Sequence, residues 1–162
     1  MLGVGERAPV FDLPDLEGRR HRLEQILARG PALAVFWKPL CSTCDLAFPY
    51  LQRLADAYPA GGWQPLAISQ DSAERSAASV RQYGLTFPIL IEGDGWPASR
   101  EYDPEATPTA FLIAPDGTIE LTSVGFSKAD LNEIARRLAE HLGTAPRVIA
   151  EENDGNPSFK PG

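Results

Sequence analysis

A continuously apolar run, Pro31-Ala32-Leu33-Ala34-Val35-Phe36-Trp37, leads within four residues into the chain's only two cysteines, Cys41 and Cys44. A run with no polar alternation reads as a strand covered on both faces, in the middle of a sheet. After the cysteines, Ala47, Leu51, Leu54 and Tyr58 recur at helical spacing, so residues 42–58 read as an amphipathic helix with Pro49 inside it. The Cys-x-x-Cys pair therefore stands where a buried strand turns into a helix, the context in which this spacing is a redox motif.

The rest of the chain supplies the surrounding fold. A Gly-ended acidic turn, Asp15-Leu16-Glu17-Gly18, separates two short extended pieces and predicts an N-terminal β-hairpin. A strand over 64–69, a helix over 72–83 and a strand over 87–91 form a βαβ crossover. Strands over 109–113 and 118–124 flank an Asp116-Gly117 turn that closes an antiparallel hairpin. Parallel and antiparallel pairs together predict an α/β fold in three α/β/α layers with a mixed central sheet. Ser127 with Asp130 caps a final helix whose stripe Leu131, Ile134, Ala135, Leu138 and Leu142 ends at Gly143. Residues 1–143 are thus expected to form one domain, and 144–162, rich in Pro, Gly, Asn and acid, a flexible C-terminal tail in which Phe159 is the one candidate anchor.

Composition narrows the function. With 15 Lys and Arg against 22 Asp and Glu, the net charge is −7, the wrong sign for nucleic-acid backbones or anionic membrane surfaces. No apolar stretch approaches the roughly 18 to 20 residues of a membrane helix. Met1 to Pro9 lack the apolar middle of a secretory signal, so the chain as it stands reads as cytoplasmic, or as exported if a signal has been removed. Two cysteines are too few for a disulfide scaffold, and with His21 and His141 isolated no four-ligand metal site can be assembled. No cofactor and no metal are expected, and the chain reads as a monomer.

Placed at a helix N-terminus, the Cys41 sulfur meets unsatisfied N–H groups and the positive end of the helix dipole, with Lys38 as a candidate thiolate stabiliser three residues upstream. Both effects favour thiolate and push its pKa below the free value of about 8.5. Cys44, one turn on, lies within bridging distance but points into the helix. Cys41 is then the sulfur that attacks a disulfide, and Cys44 the one that resolves the mixed disulfide.

Four segments carry a family resemblance: Phe36-Trp37-Lys38-Pro39-Leu40-Cys41-Ser42-Thr43-Cys44 with Phe48-Pro49-Tyr50; Tyr83-Gly84-Leu85-Thr86-Phe87-Pro88; Ala106-Thr107-Pro108-Thr109-Ala110-Phe111-Leu112-Ile113; and Pro115-Asp116-Gly117. In this order and spacing the chain from about Gly5 to Leu142 resembles the thioredoxin-like redoxins of the AhpC/TSA-redoxin superfamily, closest to the TlpA-like thiol-disulfide oxidoreductases. The resemblance implies a cis bond before Pro108, facing the cysteines, and Thr107 backbone groups that pair with a bound peptide. It also places Leu40 and Trp37 with Thr107 on the substrate-binding surface. The implied partners are protein disulfide or dithiol substrates and a separate redox partner.

Two departures matter. Thioredoxins bury an acid in the central strand where this chain has Val35, and several TlpA-like proteins have Glu where it has Ala47. The proton acceptor for Cys44 is therefore unassigned, with Asp45 expected to be solvated. Two other functions compete. A peroxiredoxin-type thiol peroxidase shares Pro39-Leu40-Cys41, but that family has Thr or Ser where this chain has Lys38. A non-enzymatic copper-binding or redox-adaptor protein would usually add a His near the hairpin, and residues 118–124 contain none.

Overall fold

The computed structural model describes residues 1–162. The chain opens with the expected hairpin, β1 (Asp12–Pro14) antiparallel to β2 (Arg20–Arg22). The Asp15 carboxylate closes its turn by accepting the N–H groups of Glu17 at 2.8 Å and Arg19 at 3.0 Å. A short helix α1 (Leu23–Leu27) leads to β3 (Ala32–Trp37), α2 (Ser42–Ala57), β4 (Gln64–Ser69), α3 (Ala73–Tyr83) and β5 (Ile89–Ile91). Then follow α4 (Pro97–Tyr102), β6 (Thr109–Ile113), β7 (Ile119–Val124), β8 (Phe126–Ser127), α5 (Lys128–Leu142) and β9 (Phe159–Lys160).

The central sheet has the order β5-β4-β3-β6-β7, so the apolar run occupies its middle strand. β3 and β5 pair with β4 in parallel, while β6 pairs antiparallel with β3 and β7, which makes the sheet mixed. Every residue of β3 is buried, and its side chains divide by the two-residue period of a strand. Leu33, Val35 and Trp37 enter a core shared with α2 and α5, whereas Ala32, Ala34 and Phe36 enter a second core with Leu23 and Ile26 of α1 and Tyr102 of α4. Helices thus cover both faces, giving three layers. No helix is long and apolar enough to cross a membrane.

Helix boundaries follow local chemistry. Ser72 caps α3 through the Arg75 N–H at 3.2 Å, and Ser127 caps α5 through the Asp130 N–H at 3.2 Å. Gly84 and Gly143 end these helices in the left-handed conformation, with φ of 62° and 65°. The isolated histidines each pair with an acid, the half-buried His21 with Asp15 at 2.9 Å and His141 with Glu120 at 3.0 Å.

Residues 144–162, expected as a solvated tail, lie instead along α5 and α2. The Asn132 carboxamide oxygen accepts the N–H groups of Ile149 and Ala150, each at 2.9 Å, and both residues are buried. The buried Lys128 ammonium donates to the carbonyls of Glu151 at 2.8 Å and Asn156 at 3.0 Å, and to the Asp154 carboxylate at 2.6 Å. The Tyr50 hydroxyl donates to the same carboxylate. Side chains of the domain thus satisfy backbone groups of a segment that has no regular structure to do so. β9 then pairs antiparallel with β8.

Candidate active site

β3 ends at Trp37, and Pro39-Leu40 turn the chain so that Cys41 becomes the N-cap of α2. Leu40 makes this turn at a φ of 59°, and its side chain is 89% exposed immediately before the first cysteine. Cys41 and Cys44 are joined as a disulfide, with Cα atoms 5.2 Å apart. The two ends differ: Cys44 is fully buried in the larger core, and Cys41 is half-buried. The Cys44 N–H donates to the Cys41 sulfur at 3.2 Å, the contact expected of a cap side chain at a helix start.

The loop before β6 faces this pair. The Thr107–Pro108 bond is cis, the Thr107 carbonyl oxygen stands 3.3 Å from the Cys41 sulfur, and the Thr107 hydroxyl donates to that sulfur at 3.6 Å. The Gly125 N–H donates to the Pro108 carbonyl at 2.8 Å, tying the end of β7 to the same loop. Gly125 carries no motif in the sequence; between β7 and β8 it takes a φ of 76°, a conformation that favours glycine.

Other sequence-derived candidates fall differently. Trp37 is fully buried and packs edge-on against Phe48 with ring centroids 4.9 Å apart, so it lies in the core behind the site and offers no surface there. This corrects its placement on the substrate surface: both faces of β3 are covered by core, and Trp37 shares the face of Leu33 and Val35. Lys38 is exposed. A second cation reaches the start of α2 from residue 160, whose ammonium donates to the Ser42 hydroxyl at 3.0 Å. Asp45 is half-buried, and its charge adds to burial in pushing the Tyr83 phenol upward. A small pocket lined by Val35, Ala47, Pro108, Ala110, Ser123 and Phe126 lies where the family's buried acids would stand. Its lining includes no carboxylate.

A dithiol at the N-terminus of a helix, fed by the central strand of a mixed sheet and faced by a cis X-Pro loop, defines a thioredoxin-like redox protein. Residues 4–122 match the AhpC/TSA family, and the chain belongs to it. It is 33% identical over 134 residues to the thiol-disulfide oxidoreductase ResA of Geobacillus thermodenitrificans, covering 82% of this chain and 76% of the relative. Its fold matches the crystal structure of a candidate thiol:disulfide interchange protein DsbE from Chlorobium tepidum with a TM-score of 0.78 and 28% identity, over 88% of this chain and all of that one. A secreted Mycobacterium tuberculosis disulfide oxidoreductase homologous to E. coli DsbE matches with a TM-score of 0.65 and 25% identity, over 80% of this chain and 95% of that one. With its Cys41-x-x-Cys44 pair, the chain is a thiol-disulfide oxidoreductase.

Proposed function

We propose that Cys41 is the attacking sulfur and Cys44 the resolving one in disulfide exchange with protein substrates. The asymmetry of burial carries this reading, because only Cys41 is open to a second molecule. In the reduced protein the Cys41 thiolate attacks one sulfur of a substrate disulfide, forming a Cys41–substrate disulfide and expelling the other substrate sulfur as thiolate. Cys44, having lost its proton, then attacks the Cys41 sulfur, re-forms the Cys41–Cys44 bond and releases the second substrate thiolate. The substrate gains two electrons and, on protonation, two protons; the reverse sequence oxidises a substrate dithiol.

Several groups support the first step. A Cys41 thiolate has the Cys44 N–H and the Thr107 hydroxyl as donors, both already directed at its sulfur. Thr107 and the exposed Leu40 flank the sulfur and are the groups a docked substrate meets, while Pro108 holds the Thr107 carbonyl in place. Lys38 adds positive charge from solvent.

The test is a comparison of Cys41→Ser and Cys44→Ser in the reduction of insulin by dithiothreitol. Both should lose turnover, and only Cys44→Ser should accumulate a mixed disulfide with insulin. Accumulation on Cys41→Ser instead would reverse the assignment.

A further inference from the structure

Residues 158–162 do more than cover the surface: they run across the face of the molecule that holds Cys41. The Lys128 N–H donates to the Ser158 carbonyl at 2.9 Å, Phe159 and Lys160 pair with Ser127 and Phe126, and the Thr43 hydroxyl donates to the Pro161 carbonyl at 2.7 Å. Gly162 then abuts the loop before β6, so closely that a Cβ on it would fall 2.7 Å from the Thr107 carbonyl oxygen and 2.8 Å from the Ala106 Cβ. A Cβ on Gly125 would likewise fall 2.6 Å from the Lys160 carbonyl oxygen. Extended backbone therefore passes over Gly125, between the first turn of α2 and the Thr107 carbonyl that contacts the Cys41 sulfur.

We propose that residues 158–162 are a built-in occupant of the groove between the β8 edge, the Thr43 hydroxyl and the Thr107 carbonyl, which an extended peptide segment bearing the substrate cysteine must displace to reach Cys41. The inference rests on Cys41 being the attacking sulfur. Two observations favour displacement over permanent closure. The segment is anchored upstream, by the buried Ile149 and Ala150 and by Lys128, so its distal part can leave without opening the core. That distal part holds on through a two-residue ladder and a few polar contacts, and its one large apolar side chain, Phe159, is 57% exposed. An arriving strand replaces the same backbone hydrogen bonds, the usual chemistry of strand addition at a sheet edge. The close approach at Gly162 favours a small residue where the incoming segment crosses Thr107.

Occupation of the site lowers apparent affinity by the fraction of time the site is free, so removal of the segment should speed reaction with peptides and not with compact disulfides. The experiment compares the full chain with a form ending at Asn156, using a ten-residue peptide disulfide and a small aromatic disulfide. A segment docked nine-tenths of the time gives about a tenfold rise in kcat/KM for the peptide, with the aromatic disulfide changed less than about twofold. Gly162→Val, which crowds Thr107 and leaves the upstream anchor intact, should give the same split in smaller size if the shortened chain folds poorly. Equal acceleration of both disulfides, or of neither, overturns the proposal. A second measurement separates it from the redox reading: in Cys44→Ser, a peptide joined chemically to Cys41 should move the backbone NMR signals of residues 158–162 to free-peptide positions. Unmoved signals overturn the docking site whatever the rates; released signals in Cys44→Ser, together with a parent chain that turns over neither disulfide, uphold the site and overturn the reading of Cys41 and Cys44.

Discussion

The carbonyl oxygen of Thr107 and the sulfur of Cys41 stand 3.3 Å apart, although 66 residues separate them in sequence. The same threonine presents its hydroxyl to that sulfur at 3.6 Å. On the role proposed for Cys41, the carbonyl is placed to accept from a thiol and the hydroxyl to donate to a thiolate once the disulfide is reduced. The loop before β6 therefore lies in direct contact with the redox pair.

This geometry predicts unequal reactivity. On reduction, iodoacetamide should label Cys41 well before the fully buried Cys44, with a labelling midpoint below the free-cysteine value of about 8.5. Mass spectrometry of partly alkylated protein reads the order directly. First labelling at Cys44 would contradict the assignment of roles.

The pocket beside Val35, Ala47 and Pro108 holds no acid to take the Cys44 proton. Apolar surroundings disfavour thiolate, so resolution should be slow at neutral pH and quicken as pH rises. Ala47→Glu should raise the neutral rate and flatten that profile, while burial of the new carboxyl lowers stability by about 1 to 3 kcal/mol. Rates from pH 6 to 9 and a denaturant melt check both; an unchanged profile would mean that another group already handles the proton.

Acid should loosen the segment beyond α5. Lys128, and after it the Tyr50 hydroxyl, hold the Asp154 carboxyl well below the usual carboxylate range. A depressed folded value stabilises above the unfolded pKa of about 3.9, and the contribution is lost as pH falls through the folded value. The melting temperature of the parent should therefore fall more steeply below about pH 4 than that of Asp154→Asn. Parallel slopes would remove Asp154 from the anchor.

Leu40 predicts a pattern that side-chain size alone does not give. Its φ of 59° disfavours β-branched residues most, and its side chain is exposed, so no core contact is lost on substitution. Leu40→Gly should match the parent or exceed it by up to about 1 to 2 kcal/mol, and Leu40→Val should fall below the parent. Thermal melts of the two variants distinguish this from a simple loss of apolar contact.

What the sequence disclosed and what it hid divide by the kind of interaction. The uninterrupted run of β3 and the stripe of α5 are periodic signals of burial, and both elements lie where that periodicity puts them. The five-residue α1 and six-residue α4 are too short to show a period. The course of residues 144–162 depends on Asn132, Lys128 and Tyr50, polar side chains spread over α2 and α5 that capture backbone groups, and no local pattern in the captured segment announces them. Trp37 shows the opposite hazard: it adjoins the site in sequence yet faces the core.

Gly162 beside Thr107 also bears on how this protein is handled at the bench. A purification handle joined after Gly162 would set out from the rim of the dithiol, whereas one joined to Met1 starts at Asp103, whose carboxylate pairs with the terminal amine at 2.8 Å, next to the α4 side of the sheet. If residues 158–162 occupy the groove as proposed, preparations that differ only in which end carries the handle should differ in rate with peptide disulfides, and the amino-terminal version leaves the neighbourhood of Thr107 unaltered.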